Sequence, residues 1–271
     1  MQKLALPLFL ASALSLSGQI VFQDDMSGTF SSNWASASTN VGVGSFSSGQ
    51  LLLDNGGDSG QTYAFTQTSS FGGGYNTTLA SNSGEVTWSF NMGTLSAGPS
   101  NSNRLAFVIA ADSSDFTSAE GYAVRVGGNS PSVDPLELIH FSGGVNGTIV
   151  EIASGGSMTD TSSDFANVRV TYNPSGNSWT LFGSTVSSSG SWSDPTGEST
   201  LLGSGTNSSV TATGLGFMGV WSLHTTAASQ DRVFDNITVS AVPEPSTYAA
   251  LTGIVILGFA AYRRRNPKLA A

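Results

Sequence analysis

In the central part of the chain, apolar residues come in short runs, and in several runs they occupy every second position. Within 85–92, Val86, Trp88 and Phe90 fall on one face, and Thr87, Ser89 and Asn91 on the other. Successive side chains of an extended backbone point to opposite faces, so a period of two marks a half-buried strand. Further runs rich in β-branched and aromatic residues cover 104–110, 122–126, 136–141, 168–172, 178–182, 216–221 and 232–239. Before and between them lie Asn55-Gly56-Gly57, Gly72-Gly73-Gly74, Gly143-Gly144, Asn146-Gly147 and Asn173-Pro174-Ser175-Gly176-Asn177. These residue types turn the chain by reaching positive φ or by bonding their own backbone. The last of them joins its two runs as a hairpin with a five-residue loop. Away from the ends of the chain no stretch carries a helical stripe. Strands at roughly ten-residue spacing predict an all-β fold, an antiparallel β-sandwich in one unit.

The two ends are patterned differently. Residues 1–17 carry one charge, Lys3, then an apolar run from Leu4 to Leu16, then small residues. That is the pattern of a signal peptide, with Ser15 and Ser17 placing the cut after Ser17. At the other end, Pro243-Glu244-Pro245 precedes the uncharged run 248–262, and Arg263, Arg264 and Arg265 follow it. As a helix, that run would measure roughly 22 Å, short against a hydrocarbon core of about 30 Å. Tyr248 and Tyr262 bracket it as interfacial aromatics do, and the arginines stop it on the cytoplasmic side. The expected organisation is a signal peptide (1–17), a sandwich domain (18–241) and a C-terminal segment (242–271). The segment holds a single transmembrane helix (248–262) and a basic tail (263–271).

The order Val-Pro-Glu-Pro-Ser, short span, arginine cluster resembles the PEP-CTERM sorting signal of exported Gram-negative proteins. The resemblance implies an exosortase-type protease acting at Pro243, Glu244 and Pro245. It also implies a transient inner-membrane tether stopped by Arg263–Arg265. The destination it implies is the cell surface or extracellular matrix of a bacterium that makes exopolysaccharide or biofilm. In the body, Val21-Phe-Gln-Asp-Asp-Met-Ser-Gly28 with Trp34 resembles the opening strand of concanavalin A-like (laminin-G-like) jelly rolls. Val233-Phe-Asp-Asn-Ile-Thr-Val239 is similar to their closing strand, and 121–126, 168–172 and 179–181 fit the same pattern. The resemblance implies a jelly roll, in which the first and last strands often lie side by side.

Charge narrows the partners. The 18–241 body has Arg104, Arg125, Arg169 and Arg232, no Lys, and seventeen acidic residues, a formal charge of −13. Such a surface repels nucleic acid and anionic lipid but tolerates divalent cations and neutral glycans. The absence of Cys removes thiol nucleophiles, iron–sulfur clusters and thiolate zinc sites. His140 and His224 are too few and too far apart for a histidine zinc site, and His140 is expected on the outer face of its strand. No Glu-x-Asp-x-x-Glu strand sets two carboxylates about 5.5 Å apart for glycoside hydrolysis. The nucleophile elbow and the phosphate-binding loop are missing as well. Glu85 and Glu137 read as lone solvated carboxylates, and the chain is expected not to be an enzyme.

Calcium is the one cofactor the residues suit, because it takes carboxylate and amide oxygens. Asp25, beside Asp24, lies near the first strand and Asp235 and Asn236 near the last, and adjacent first and last strands would bring them together. Asp112 and Asp115 form a second candidate, and for both groups the competing role is to cap turn backbones. Trp34 and Trp192, in Ser-rich surroundings, are the candidate stacking faces for a sugar. Trp88, Trp179 and Trp221 belong to strands and are expected in the core. The function expected is that of an exported, non-catalytic surface or matrix protein binding exopolysaccharide. The alternatives are a polysaccharide hydrolase or lyase with a divergent site, and a purely structural matrix protein.

Overall fold

The structure, a computed structural model, describes residues 18–28, 33–39, 42–54, 56–95, 98–128, 133–159, 164–186, 192–226, 231–242 and 257. The expected signal peptide, Pro243, Glu244 and Pro245, the 248–262 helix apart from Leu257, and Arg263–Arg265 lie outside them. Among the described residues no helix is long and apolar enough to cross a membrane.

Fifteen strands are described: β1 (Gln19–Asp24), β2 (Ala35–Ser38), β3 (Val43–Ser47), β4 (Gln50–Asp54), β5 (Gly60–Gln67), β6 (Val86–Thr94), β7 (Arg104–Ala111) and β8 (Gly121–Val126). They continue as β9 (Val133–Ser142), β10 (Thr148–Thr159), β11 (Phe165–Asn173), β12 (Ser178–Val186), β13 (Leu201–Thr206), β14 (Phe217–His224) and β15 (Arg232–Ala241). All the pairings are antiparallel. One sheet runs β13-β12-β11-β6-β15-β4-β3 with β1 also on β15, and the other runs β10-β9-β8-β7-β14-β5-β2. The expected strands are all present, and among residues 18–242 that are described, helix is limited to three-residue 3-10 turns at Thr68–Ser70, Leu79–Ser81 and Pro195–Gly197. The 173–177 hairpin is tighter than expected. Asn173 pairs with Ser178, so the loop is four residues long and ends at Asn177, whose φ is 50°.

The alternation seen in sequence becomes the core. Val86, Trp88, Phe90 and Met92 of β6 face Leu105, Phe107 and Ile109 of β7, all fully buried. Phe90 and Phe107 stack across the two sheets with centroids 3.9 Å apart. Trp179 lies against Trp88, Tyr122 and Tyr172. Burial of each such side chain stabilises by about 1.5–3 kcal/mol.

A second apolar cluster covers the outer face of the seven-stranded sheet, where Tyr63, Phe116, Ile139, Phe141 and Trp221 pack together. Trp221 is therefore buried as expected, but outside the space between the sheets. Loop 112–120 closes over this face. Asp115 accepts from Thr117 N, Thr117 Oγ1 and Tyr63 OH through one oxygen and from Ser118 Oγ through the other. Those hydroxyls hold its pKa down at about 2. Asp112 accepts from Glu120 N. Both carboxylates thus serve turn geometry. Two further expectations are corrected here. Glu137 is not solvated; it is 6 % exposed and paired to Arg125 at 2.8 Å. His140 faces inward on the side of Leu136 and Leu138, beside Tyr122 and 3.0 Å from Glu120.

β15 positions the site. One edge pairs with β6 along its length; the other pairs with β4 over Arg232 to Phe234 and with β1 over Ile237 to Ala241. The changeover is a bulge between Asp235 and Thr238, with Asn236 at φ 50°. Asn tolerates this left-handed conformation better than most residues.

Candidate functional site: a groove on the eight-stranded sheet

The outer face of the eight-stranded sheet is polar where β15, β6, β11 and β12 cross it, and the segment 192–200 runs over it. Arg169 Nε donates to Glu198 O at 2.5 Å, and its guanidinium lies 4.0 Å over the Phe182 ring. Trp192 meets Phe165 edge-on, with centroids 5.4 Å apart. Asp194 caps the 3-10 turn that follows by accepting from Thr196 N at 2.9 Å.

Between this segment and β1 lies a cleft of about 440 Å³. One wall carries Gln23, Asp24, Asp25, Asn236 and Thr238; the other carries Trp192, Ser193, Asp194 and Thr196. A second hollow of about 460 Å³ shares Gln23, Asp24 and Asp25 and continues along Ser27, Asn33 and Phe46. The two form one groove with the Asp24–Asp25 ridge in its floor.

Because β1 and β15 are neighbours, three expected site residues meet here: Asp25, Trp192 and Asn236. Asp235 sits just behind, half-buried, with Oδ1 accepting from Asn236 N at 2.7 Å. Burial, with added repulsion from Asp25 and Asp24, pushes its carboxyl up to about 6. Asp25 is exposed, and hydrogen bonds from the Ser27 hydroxyl and amide hold its carboxyl below the usual range. Asp24 accepts from Met26 N and from Trp34 Nε1. Among the described residues no group of three or more acidic or histidine side chains is arranged to hold a metal ion.

Trp34 departs from expectation. It is 4 % exposed, lies edge-on to Phe22 and spends its indole N–H on Asp24, so it offers no open face to a sugar. Gln23, Asp194 and Thr196 escaped sequence reasoning. The Asp-Pro-Thr-Gly of 194–197 is legible as a turn, but nothing local says which sheet face it covers.

Among the described residues, the groove is rich in acceptors, carries no Lys, Arg or His, and has one partly exposed indole on its wall. This suits polyhydroxylated, uncharged molecules, whose O–H groups donate to carboxylates and whose apolar faces stack on aromatic rings. It disfavours anions.

Comparison with known proteins bears on the C-terminal segment and on the fold. Residues 241–265 match the PEP-CTERM protein-sorting motif, which implies export and processing by an exosortase. No curated relative matches the chain. Among solved structures the chain is similar to the carbohydrate recognition domain of Emp47p, at 11 % identity and TM-score 0.51, over 82 % of this chain and 94 % of that one. It is similar to a seed lectin of Lotus tetragonolobus, at 10 % and 0.51, over 83 % and 100 %. A third is the CBM2 module of the evolved Dit of Lactobacillus casei BL23 phage J-1, at 8 % and 0.51, over 83 % and 96 %. The body therefore has the concanavalin A-like jelly-roll fold, and the chain carries a PEP-CTERM sorting motif.

Proposed function

We propose that this is an exported, non-catalytic surface or matrix protein that binds neutral exopolysaccharide in the groove between β1 and the 192–200 segment. Export through the 1–17 signal peptide, a tether at 248–262 and exosortase action at Pro243–Pro245 complete the reading. The observation that carries it is the convergence of Trp192, Gln23, Asn236 and three aspartates on one groove whose described lining holds no basic side chain. The fold shared with a carbohydrate recognition domain and a seed lectin supports it.

The test is co-sedimentation of the full chain with neutral and uronate-rich polysaccharides, with and without a chelator. Binding to the neutral polymer alone is expected, with Trp192→Ala weakening it about tenfold, equivalent to about 1.4 kcal/mol. Loss of binding on chelation would bring calcium into the groove through Asp25, Asp235 and Asn236. Release of reducing ends or unsaturated products would favour the hydrolase or lyase alternative. Neither binding nor turnover would leave a structural matrix protein.

A further inference from the structure

Beneath the groove a row of side chains crosses four strands at one level. Asp235 of β15 pairs with Asn91 of β6, Asn91 with Asn167 of β11, and Asn167 with Ser184 of β12. Asn91 and Asn167 are 0 % and 2 % exposed. An amide buried without partners is costly, and these two have theirs.

Asn91 Nδ2 donates to Asn167 Oδ1 at 2.7 Å and to Ser193 O at 3.3 Å. Asn167 Oδ1 also accepts from Ser193 N at 3.2 Å, and Asn167 Nδ2 donates to Ser184 Oγ, which in turn donates to Glu198. Ser193 is thus gripped by both its N–H and its C=O. On the other side, Asn236 Nδ2 donates to Asn91 Oδ1 at 2.7 Å. Asn236 and Ser193 belong to opposite walls of the groove, so a continuous amide chain ties one wall to the other.

We infer that Asn91 and Asn167 are positioning residues: they pin the backbone beside Trp192 to the sheet and to Asn236, which fixes the width of the groove. An apolar pair at these positions would pack against the sheet equally well but would leave both polar groups of Ser193 unanswered. The segment would then lift, carrying Trp192 with it. The role as a determinant of glycan affinity rests on the function proposed above; the pinning of Trp192 does not.

The protein supplies its own reporter. Of its five tryptophans, Trp34, Trp88, Trp179 and Trp221 are at most 4 % exposed, so acrylamide-quenchable emission reports Trp192. In full-length Asn167→Ala, quenching is expected to rise at least about twofold as the segment opens locally. Affinity for the neutral polysaccharide should fall about tenfold. Asn173→Ala, in an exposed turn of the same strand, should change neither. If Asn167→Ala does not fold, Asn91→Ser, which shortens the same chain of bonds, is read in its place. Quenching that stays at the wild-type level in a folded variant with a lowered Tm overturns the inference, because the amides would then serve sheet stability alone. A wild type that binds no neutral glycan overturns the functional proposal, while the quenching still decides whether Trp192 is pinned.

Discussion

A half-buried carboxyl next to two others prefers to keep its proton. For Asp235 the folded value is about 6, against 3.8 when free. Between those values the folded state holds a proton that the unfolded chain has lost, so this group makes stability fall as pH rises through the window, and the penalty is fully present above it. Asp235→Asn is therefore expected to raise Tm at pH 8 and leave it nearly unchanged at pH 4, as measured by thermal unfolding at both. An equal shift at both values would trace the effect to packing instead. His224 behaves in the opposite sense. It is 2 % exposed, its Nε2 lies 3.1 Å from Thr62 Oγ1, and burial with the nearby Arg232 charge lowers it to about 4 from 6.5. Below pH 6.5 the unfolded chain takes up a proton the folded one resists, so stability is lost on acidification. His224→Gln should flatten the fall in denaturation midpoint between pH 6.5 and 4.

Among the elements, the β7–β8 pairing leaves no room for a side chain at its first residue. A Cβ on Gly121 would stand 2.1 Å from Ala110 O, next to the irregularity where Val108 and Ala110 pair out of step. Backbone cannot retreat as a flexible side chain can. Gly121→Ala is expected to destabilise by about 3 kcal/mol or more. Gly197→Ala, where nothing lies within 4 Å, should be close to neutral. Urea midpoints of the two variants check the contrast, and a neutral Gly121→Ala would show that the strands can separate freely. The period-two pattern of β6 announced which side chains it turns toward the other sheet, but not that Ser89 and Asn91 on its opposite face are buried as well. In β9, strand register put Glu137 against Arg125 and inward alternation put His140 against Tyr122, which neighbours in sequence could not reveal.

For the whole molecule, the first and last described strands lie together, with Gln19 opposite Ala241. The sorting motif begins at Ala241, inside β15. Val242 N donates to Glu85 O, and Val242 O accepts from Ser83 Oγ. The PEP residues thus follow a hydrogen-bonded strand without a spacer. A chain ending at Val242 is expected to unfold cooperatively at a Tm near that of the full chain. One ending at Asp235 loses the residues that join β15 to β1 and half of its pairing with β6, and should show no cooperative transition. Circular dichroism melts distinguish the two, and a sharp transition in the shorter chain would contradict the central role given to β15.

By itself, the sequence determined the all-β class, the eight central strands and the C-terminal sorting motif. Each of these is a local pattern: alternation reports which side chains share a face, and the sorting motif is a linear order of residues. Tertiary structure decided the site. Trp34 and Trp192 sit in similarly polar stretches, yet one is buried against Phe22 and the other borders the groove. Asn91 and Asn167, read alone, are polar positions of two half-buried strands; only the folding of 192–200 over them turns them into a clamp. Such choices depend on which distant segment covers which face, and that is settled by contacts between residues far apart in the chain.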